Sequence, residues 1–195
     1  MNRRESLKLL AAAPVTAGFS WTEHDASVAS EKVGQIKDRS AFAPAFFTEH
    51  EWRTVKLLAD LIIPKDDRSG SATDAGVPEY MDFMMIDSPN RQTPMRGGLA
   101  WIDVQCRKRY GAPFADCTAA QQTALLDDIA YPESAPEGVE HGVAFFTSFR
   151  DLTASGFWSS KMGVEDLQYM GNTFVPEWTG CPSEVLNDLG VRYED

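Results

Sequence analysis

Apolar residues recur at helical spacing in five stretches of the chain, and helix-starting or helix-stopping chemistry marks their borders. The first stretch opens at Thr48-Glu49-His50-Glu51, where a Thr at the cap position and a Glu three residues later form a capping box. Phe47 and Trp52 flank it as a hydrophobic staple. Trp52, Val55, Leu58, Ala59 and Ile62 then share one face until Pro64 ends the run. A polar loop over 65–76 leads to a second helix with Pro78 in its first turn and an apolar face of Tyr80, Met81, Met84 and Met85. The third runs from Thr93-Pro94 to Tyr110 and stops at Gly111; Gly97-Gly98 inside it weakens the helix but suits close packing of a neighbour. The fourth repeats the cap, Thr118 with Gln121, followed by Leu125, Leu126 and Ile129. The fifth covers 139–155, with Val143, Phe146, Phe149, Arg150 and Thr153 along it. Residues 156–195 hold no sustained period, only short helical pieces near 164–169 and 183–189. No alternation of strand length occurs. The pattern predicts an all-α fold: one compact helical domain over 46–195, with about five main helices and an irregular C-terminal segment. Residues 30–45 are polar and aperiodic and read as an extended arm.

The N-terminus reads as an address. Arg3-Arg4 with Leu7-Lys8 following resembles a twin-arginine signal, although Ser6 stands where Phe is usual. Residues 9–19 are apolar, Ala-rich and interrupted by Pro14. That run is far short of the roughly 20 residues that span a bilayer, so it predicts a signal core and no transmembrane segment. Ser27-Val28-Ala29 supplies small residues for cleavage near Ala29. The expectation is a signal over 1–29, with Arg3, Arg4, Leu7 and Lys8 as targeting residues, and a periplasmic mature chain. A general secretion signal and an amphipathic cytosolic helix are the alternatives. The twin-arginine route carries folded cargo, which matters when a chain, or its travelling partner, holds a cofactor.

Charge narrows the partners. The chain has 18 Lys+Arg against 29 Asp+Glu, a net charge of -11. Removing 1–29 deletes three cations (Arg3, Arg4, Lys8) and three anions (Glu5, Glu23, Asp25) and leaves that balance unchanged. Such a surface repels phosphate backbones, which excludes nucleic acid; it serves solubility or a partner with a basic face.

The residues offer little chemistry of their own. His50-Glu51 begins like H-E-x-x-H, but Thr54 stands at the fifth position, so the second metal ligand is missing. Of the three histidines, His24 falls within the leader, and His50 and His141 each sit in the first turn of a helix. Asp66-Asp67-Arg68-Ser69-Gly70 is superficially like a calcium loop, but Arg68 and the place of Gly70 break the pattern. No G-x-G-x-x-G, G-x-x-x-x-G-K-[ST] or G-x-S-x-G occurs, which leaves no dinucleotide, NTP or serine-hydrolase motif. Asp127-Asp128 reads as a wet helix face. No catalytic, cofactor-binding or metal residue is assigned. Cys106, Cys117 and Cys181 make an odd count with no C-x-x-C. Cys181, in a Gly-Cys-Pro turn, is the candidate for an inter-subunit disulfide; Cys106 and Cys117 are apolar filler or a pair of their own.

Three ordered stretches carry a likeness to a known family. The first joins Phe47-Thr48 to Leu61-Ile62-Ile63-Pro64, Asp74-Ala75-Gly76-Val77-Pro78 and Asp82. The second is Gly98-Leu99-Ala100-Trp101-Ile102-Asp103, then Tyr110-Gly111-Ala112-Pro113-Phe114 and Gln121-Gln122 with Leu125-Leu126. The third holds Phe145-Phe146, Leu152-Thr153, Gly156-Phe157-Trp158-Ser159-Ser160, Gly163, Leu167, Tyr169 and Gly171-Asn172. In order and spacing these resemble the gluconate 2-dehydrogenase subunit 3 family, small subunits of flavoprotein dehydrogenases. The loop Arg68-Ser69-Gly70-Ser71-Ala72 departs from the family's Pro-Gly-Ala turn. The ending Phe174-Val175-Pro176-Glu177-Trp178-Thr179-Gly180-Cys181-Pro182 looks like the branch whose partners oxidise sugars and glycosides.

The resemblance implies a large partner subunit of the glucose–methanol–choline class that holds FAD and the catalytic residues, often with a cytochrome c as electron acceptor. The small subunit is then a non-catalytic chaperone and export escort with no cofactor of its own. Aromatic residues outside the main helices are the natural anchors for such a partner. The candidate interface is Phe157, Trp158, Tyr169, Asn172, Phe174, Trp178 and Cys181; the aromatics among them can also cap the chain's own core, and Tyr169-Met170-Gly171-Asn172 reads as a turn. The alternatives are a free-standing periplasmic binding module and a cofactor-free enzyme using His50 or His141.

Overall fold

The capping logic of the sequence is realised in three dimensions. In the capping box at Thr48 the Glu51 N–H donates to the Thr48 hydroxyl (3.3 Å) and the Thr48 N–H to the Glu51 carboxylate (2.8 Å). Thr118 and Gln121 exchange the same pair of bonds. The computed structural model describes residues 23–34, 36, 42–169, 171, 176–177 and 180–193. Among these the chain forms nine α-helices and no strand: α1 Glu23–Gly34, α2 Glu49–Ile62, α3 Ala72–Ala75, α4 Val77–Asp87, α5 Gln92–Tyr110, α6 Ala119–Ala130, α7 Glu140–Trp158, α8 Lys161–Asp166 and α9 Ser183–Leu189. The fold is all-α, as the periodicity predicts. α3 begins at a third capping box, Ser71 with Asp74, inside what the sequence reads as a plain polar loop.

α7 is the hub. It packs against α1 to α6 and α8, and Phe145, Phe146, Phe149, Leu152 and Phe157 are buried on it. Burial over so wide an arc is why its sequence shows less of a one-sided stripe than α2 does. The α5–α7 crossing is reciprocal. A Cβ added at Gly98 would stand 1.8 Å from a Phe145 ring carbon, and one at Gly142 would stand 2.3 Å from the Trp101 ring. Three residues forward on α5 match three back on α7, so the helices run antiparallel, each sending an aromatic ring into a glycine hollow of the other.

The segment before α2 is tied down by Asp82 of α4. Its fully buried carboxylate accepts the N–H groups of Ala45 (2.9 Å), Phe46 (3.0 Å) and Phe47 (3.2 Å). Three donors compensate the cost of burying the carboxylate. Arg96 adds a bond to the Phe46 carbonyl (2.7 Å), with its guanidinium over the Phe46 ring.

Two expectations need correction. Residues 30–34 are not part of an extended arm: they complete α1, which runs through the boundary expected after Ala29. Ala29 and Val33, one helical turn apart, are buried, and α1 packs on α4 and α7. Two small apolar residues among polar ones are too faint a stripe to read as a helix. Second, α7 does not stop at 155 but continues through Gly156 to Trp158. Gly156 is an interior hollow for the Tyr80 ring, 2.8 Å from where a Cβ would sit, not a helix terminator.

Candidate partner surface

The end of the molecule where α7 meets α8 is built by a reversal. The Ser160 hydroxyl accepts the Gly163 N–H (3.1 Å) and donates to the Phe157 carbonyl (2.6 Å), starting α8 directly on the end of α7. Only glycine fits at 163, because a Cβ there would lie 2.1 Å from the Phe157 carbonyl oxygen. Gln168, with φ 54, closes α8 in a left-handed turn in which the Tyr169 N–H returns to the Val164 carbonyl (3.2 Å). Arg68 clamps α8 from the side, its Nη2 reaching the Asp166 carbonyl at 2.5 Å. The loop that superficially resembles a calcium site is thus a turn: Asp66 Oδ1 accepts the N–H groups of Ser69 and Arg68, which hold its carboxyl below the usual range. Among the described residues no group of three or more His, Cys, Asp or Glu converges as a metal site.

This reversal turns large side chains outward. Leu167 and Tyr169 are each 56 % exposed, and Trp158 is exposed beneath them at the end of α7. Phe157 goes the other way. At 1 % exposure, with its ring edge-on to Trp158 (4.9 Å), it belongs to the chain's own core and is corrected out of the candidate interface. The cause is the same continuation of α7 through Gly156, which rotates Phe157 inward and Trp158 outward.

The C-terminal segment folds on itself. The Cys181 N–H donates to the Tyr193 hydroxyl (2.8 Å), and the Tyr193 ring lies against Gly180, whose φ is 95. Between them α9 buries no residue, leaving Val185, Leu189, Val191 and Tyr193 exposed. Among the described residues, seven of the twelve large exposed apolar residues lie from Trp158 onward, so apolar exposure concentrates in this part of the described chain. Leu167, Val185 and Leu189 escaped the sequence reading because it sought aromatics outside helices; the amphipathic run Val185-Leu186-Leu189 was the available signal for α9. Tyr193 met the aromatic criterion and was passed over. Asn172, Phe174 and Trp178 lie outside the described residues, as do Arg3, Arg4, Leu7 and Lys8. Cys181 is half-buried.

The histidines do not meet. His50 Nε2 lies 2.5 Å from Asp103 Oδ2, while Asp103 Oδ1 accepts the Phe114 N–H (2.9 Å) and Arg107 approaches at 3.6 Å. The nearly buried Asp103 thereby joins α2, α5 and the turn Phe114–Asp116, a clamp with the imidazole on its outer edge. His141 is exposed on the first turn of α7. Neither lines the groove of about 450 Å³ under α1, whose walls come from Ser30, Val33, Asp74, Ser159, Met162 and neighbours. No helix among the described residues is long and apolar enough to cross a membrane.

Comparison with known proteins returns one finding: a family described as "Gluconate 2-dehydrogenase subunit 3" matches residues 49–176. No curated protein and no solved structure matches.

Proposed function

Since the chain belongs to the gluconate 2-dehydrogenase subunit 3 family and is in that sense a small subunit of a dehydrogenase complex, we propose that it is the non-catalytic escort of a separate FAD-dependent sugar or glycoside dehydrogenase. The escort binds its partner in the cytoplasm, stabilises its folded state, and supplies the twin-arginine leader that takes both to the periplasm. The single observation behind this reading is the concentration of exposed apolar side chains at Trp158, Leu167 and Tyr169 and along α9. A stable interface covers about 800 Å² on each partner. Each apolar side chain moved fully from water into it contributes about 1.5–3 kcal/mol, set against about 4–15 kcal/mol lost on association, so Trp158, Leu167, Tyr169 and the exposed residues of α9 must act together.

Two further points support the reading. His50 is engaged in a clamp between helices, His141 is exposed on the first turn of α7, and neither lines the groove under α1. The Arg3-Arg4 pattern belongs to a route for folded cargo, and a flavoprotein must take up FAD before it leaves the cytoplasm.

The test is co-purification from the native host with an affinity tag at Asp195. A larger companion with a flavin absorption spectrum is expected in the periplasmic fraction, and both chains are expected to stay in the cytoplasm when Arg3 and Arg4 are replaced by Lys. Recovery of a lone, colourless, stable chain from the periplasm would refute the proposal.

A further inference from the structure

The three cysteines are not equivalent. Asp103 on α5 and Phe114 in the following loop are joined by a hydrogen bond of 2.9 Å. Cys106 lies three residues beyond Asp103, about 4.5 Å further along an α-helix. Cys117 lies three residues beyond Phe114, at the end of a 3-10 turn closed by its own N–H to the Phe114 carbonyl (3.1 Å). Such a turn advances about 6 Å. Both segments leave this one junction, α5 packs against the turn Phe114–Asp116, and the Cys117 thiol lies near enough to that of Cys106 to help push it up. The loop is fastened on its far side too: Gln122 Nε2 donates to the Phe114 carbonyl (2.8 Å), and the Cys117 thiol donates to the Ala112 carbonyl (3.7 Å). Cys106 is fully buried and Cys117 half-buried, whereas Cys181 belongs to the separate C-terminal turn.

We propose that Cys106 and Cys117 form an intrachain disulfide once the chain meets an oxidising compartment, leaving Cys181 as the one thiol available to a partner. The timing rests on the export reading above; the pairing rests on the geometry alone. The bond closes in two exchanges with a disulfide-bearing oxidant. The more accessible Cys117 thiolate attacks the oxidant's disulfide, forming a mixed disulfide and expelling one oxidant thiol. The Cys106 thiolate then attacks Cys117 Sγ, forming the Cys106–Cys117 bond and expelling the second. Two electrons and two protons pass from the cysteines to the oxidant, which leaves as two thiols. Burial of Cys106 favours this order, because no oxidant reaches its sulfur directly.

The experiment uses the full chain. Free thiols are blocked with N-ethylmaleimide, and tryptic peptides are mapped without reduction. Cleavage at Arg107 and Arg109 separates the two cysteines, so the bond shows as 97–107 linked to 110–150. The linked peptide is expected in chain taken from the periplasm and absent from chain held in the cytoplasm by the Arg3→Lys, Arg4→Lys substitutions. The reduced chain is also incubated with oxidised glutathione. There the linked peptide is expected to form, with glutathione retained only on Cys181. Linkage in glutathione with no chain recovered from the periplasm upholds the pairing and counts against export, whereas periplasmic chain with Cys106 and Cys117 both free overturns the proposal. Glutathione left on Cys117 beside a free Cys106, or a link from either to Cys181, overturns the pairing.

Discussion

Gly97 and Gly98 are adjacent in α5, and one added methyl group is expected to have opposite effects at the two. At Gly98 the new Cβ would fall 1.8, 2.1 and 2.6 Å from three carbons of the Phe145 ring. Carbon atoms rest about 3.5–4.0 Å apart, so α5 and α7 must separate by about 2 Å or the ring must leave its site. The ring has little room, being buried with the tilted Phe149 ring 5.6 Å away. Overpacking of this degree costs about 3 kcal/mol, and the gain in helix propensity offsets about 1 kcal/mol of it. Gly98→Ala is thus expected to lose about 2 kcal/mol. Nothing lies within 4 Å of the corresponding position at Gly97, so Gly97→Ala should gain about 0.5–1 kcal/mol. The two differ by about 3 kcal/mol, or about 6–12 °C in melting temperature for a chain of this length. Urea unfolding followed by far-ultraviolet circular dichroism reads the difference as a midpoint shift at constant slope. Phe145→Ala added to Gly98→Ala should return part of the loss, with a coupling above about 1 kcal/mol. Equal shifts for the two glycines, or no coupling to Phe145, would refute the reciprocal packing of α5 and α7.

Other expectations follow from single contacts. Asp82→Asn leaves one acceptor oxygen for three backbone donors and should cost about 2–4 kcal/mol in the same urea assay. Serine at Trp158, Leu167 and Tyr169 together should cut recovery of the large subunit more than tenfold, with a loss of stability confined to about 1–2 kcal/mol from the Trp158 contact with Phe157; undiminished recovery would move the interface elsewhere. If the leader is removed, intact mass should place the new N-terminus before Glu23, since a peptidase cannot reach the bond after Ala29 without unfolding α1; a chain starting at Ser30 contradicts this. In the reduced chain, burial first and the Cys117 thiol second push the Cys106 thiol up to about 12. The raised value shrinks its reactive thiolate fraction, so iodoacetamide should modify Cys106 far more slowly than Cys181, at a rate that climbs about tenfold per pH unit through pH 8–10.

What could be read from the sequence was what local chemistry decides. Thr48 with Glu51 and Thr118 with Gln121 announce helix starts because the bonds involved span three residues. Tyr80, Met81, Met84 and Met85 announce a buried face because spacing alone brings them together, and all four are buried. Residues whose role depends on a distant partner were misread or missed. Gly156 looks like a helix end until Tyr80 arrives from α4, and that error carried Phe157 into the candidate interface. Val33 looks like part of an extended arm until α4 and α7 cover α1. Asp82 stood out only as a family position; its three backbone bonds reach 35 or more residues back along the chain. Of the candidate surface, Trp158, Tyr169 and Cys181 were named, but the outward turn of Leu167 depends on the left-handed Gln168, which no composition rule marks.

α1 has a consequence for how a finished bundle can be told from an unfinished one. A helix of 12 residues is marginal in water by itself, so its order depends on the contacts of Ala29 and Val33 with a finished bundle, reinforced by Lys32 to Asp87 (3.2 Å) and Ser30 to Ser159 (2.7 Å). α1 is therefore a gauge of assembly: it is anchored when α4 and α7 are in place and comes loose when their packing fails. If residues 1–22 act as an export signal, a translocation receptor sensitive to that difference would sort finished copies from unfinished ones without inspecting the cargo itself.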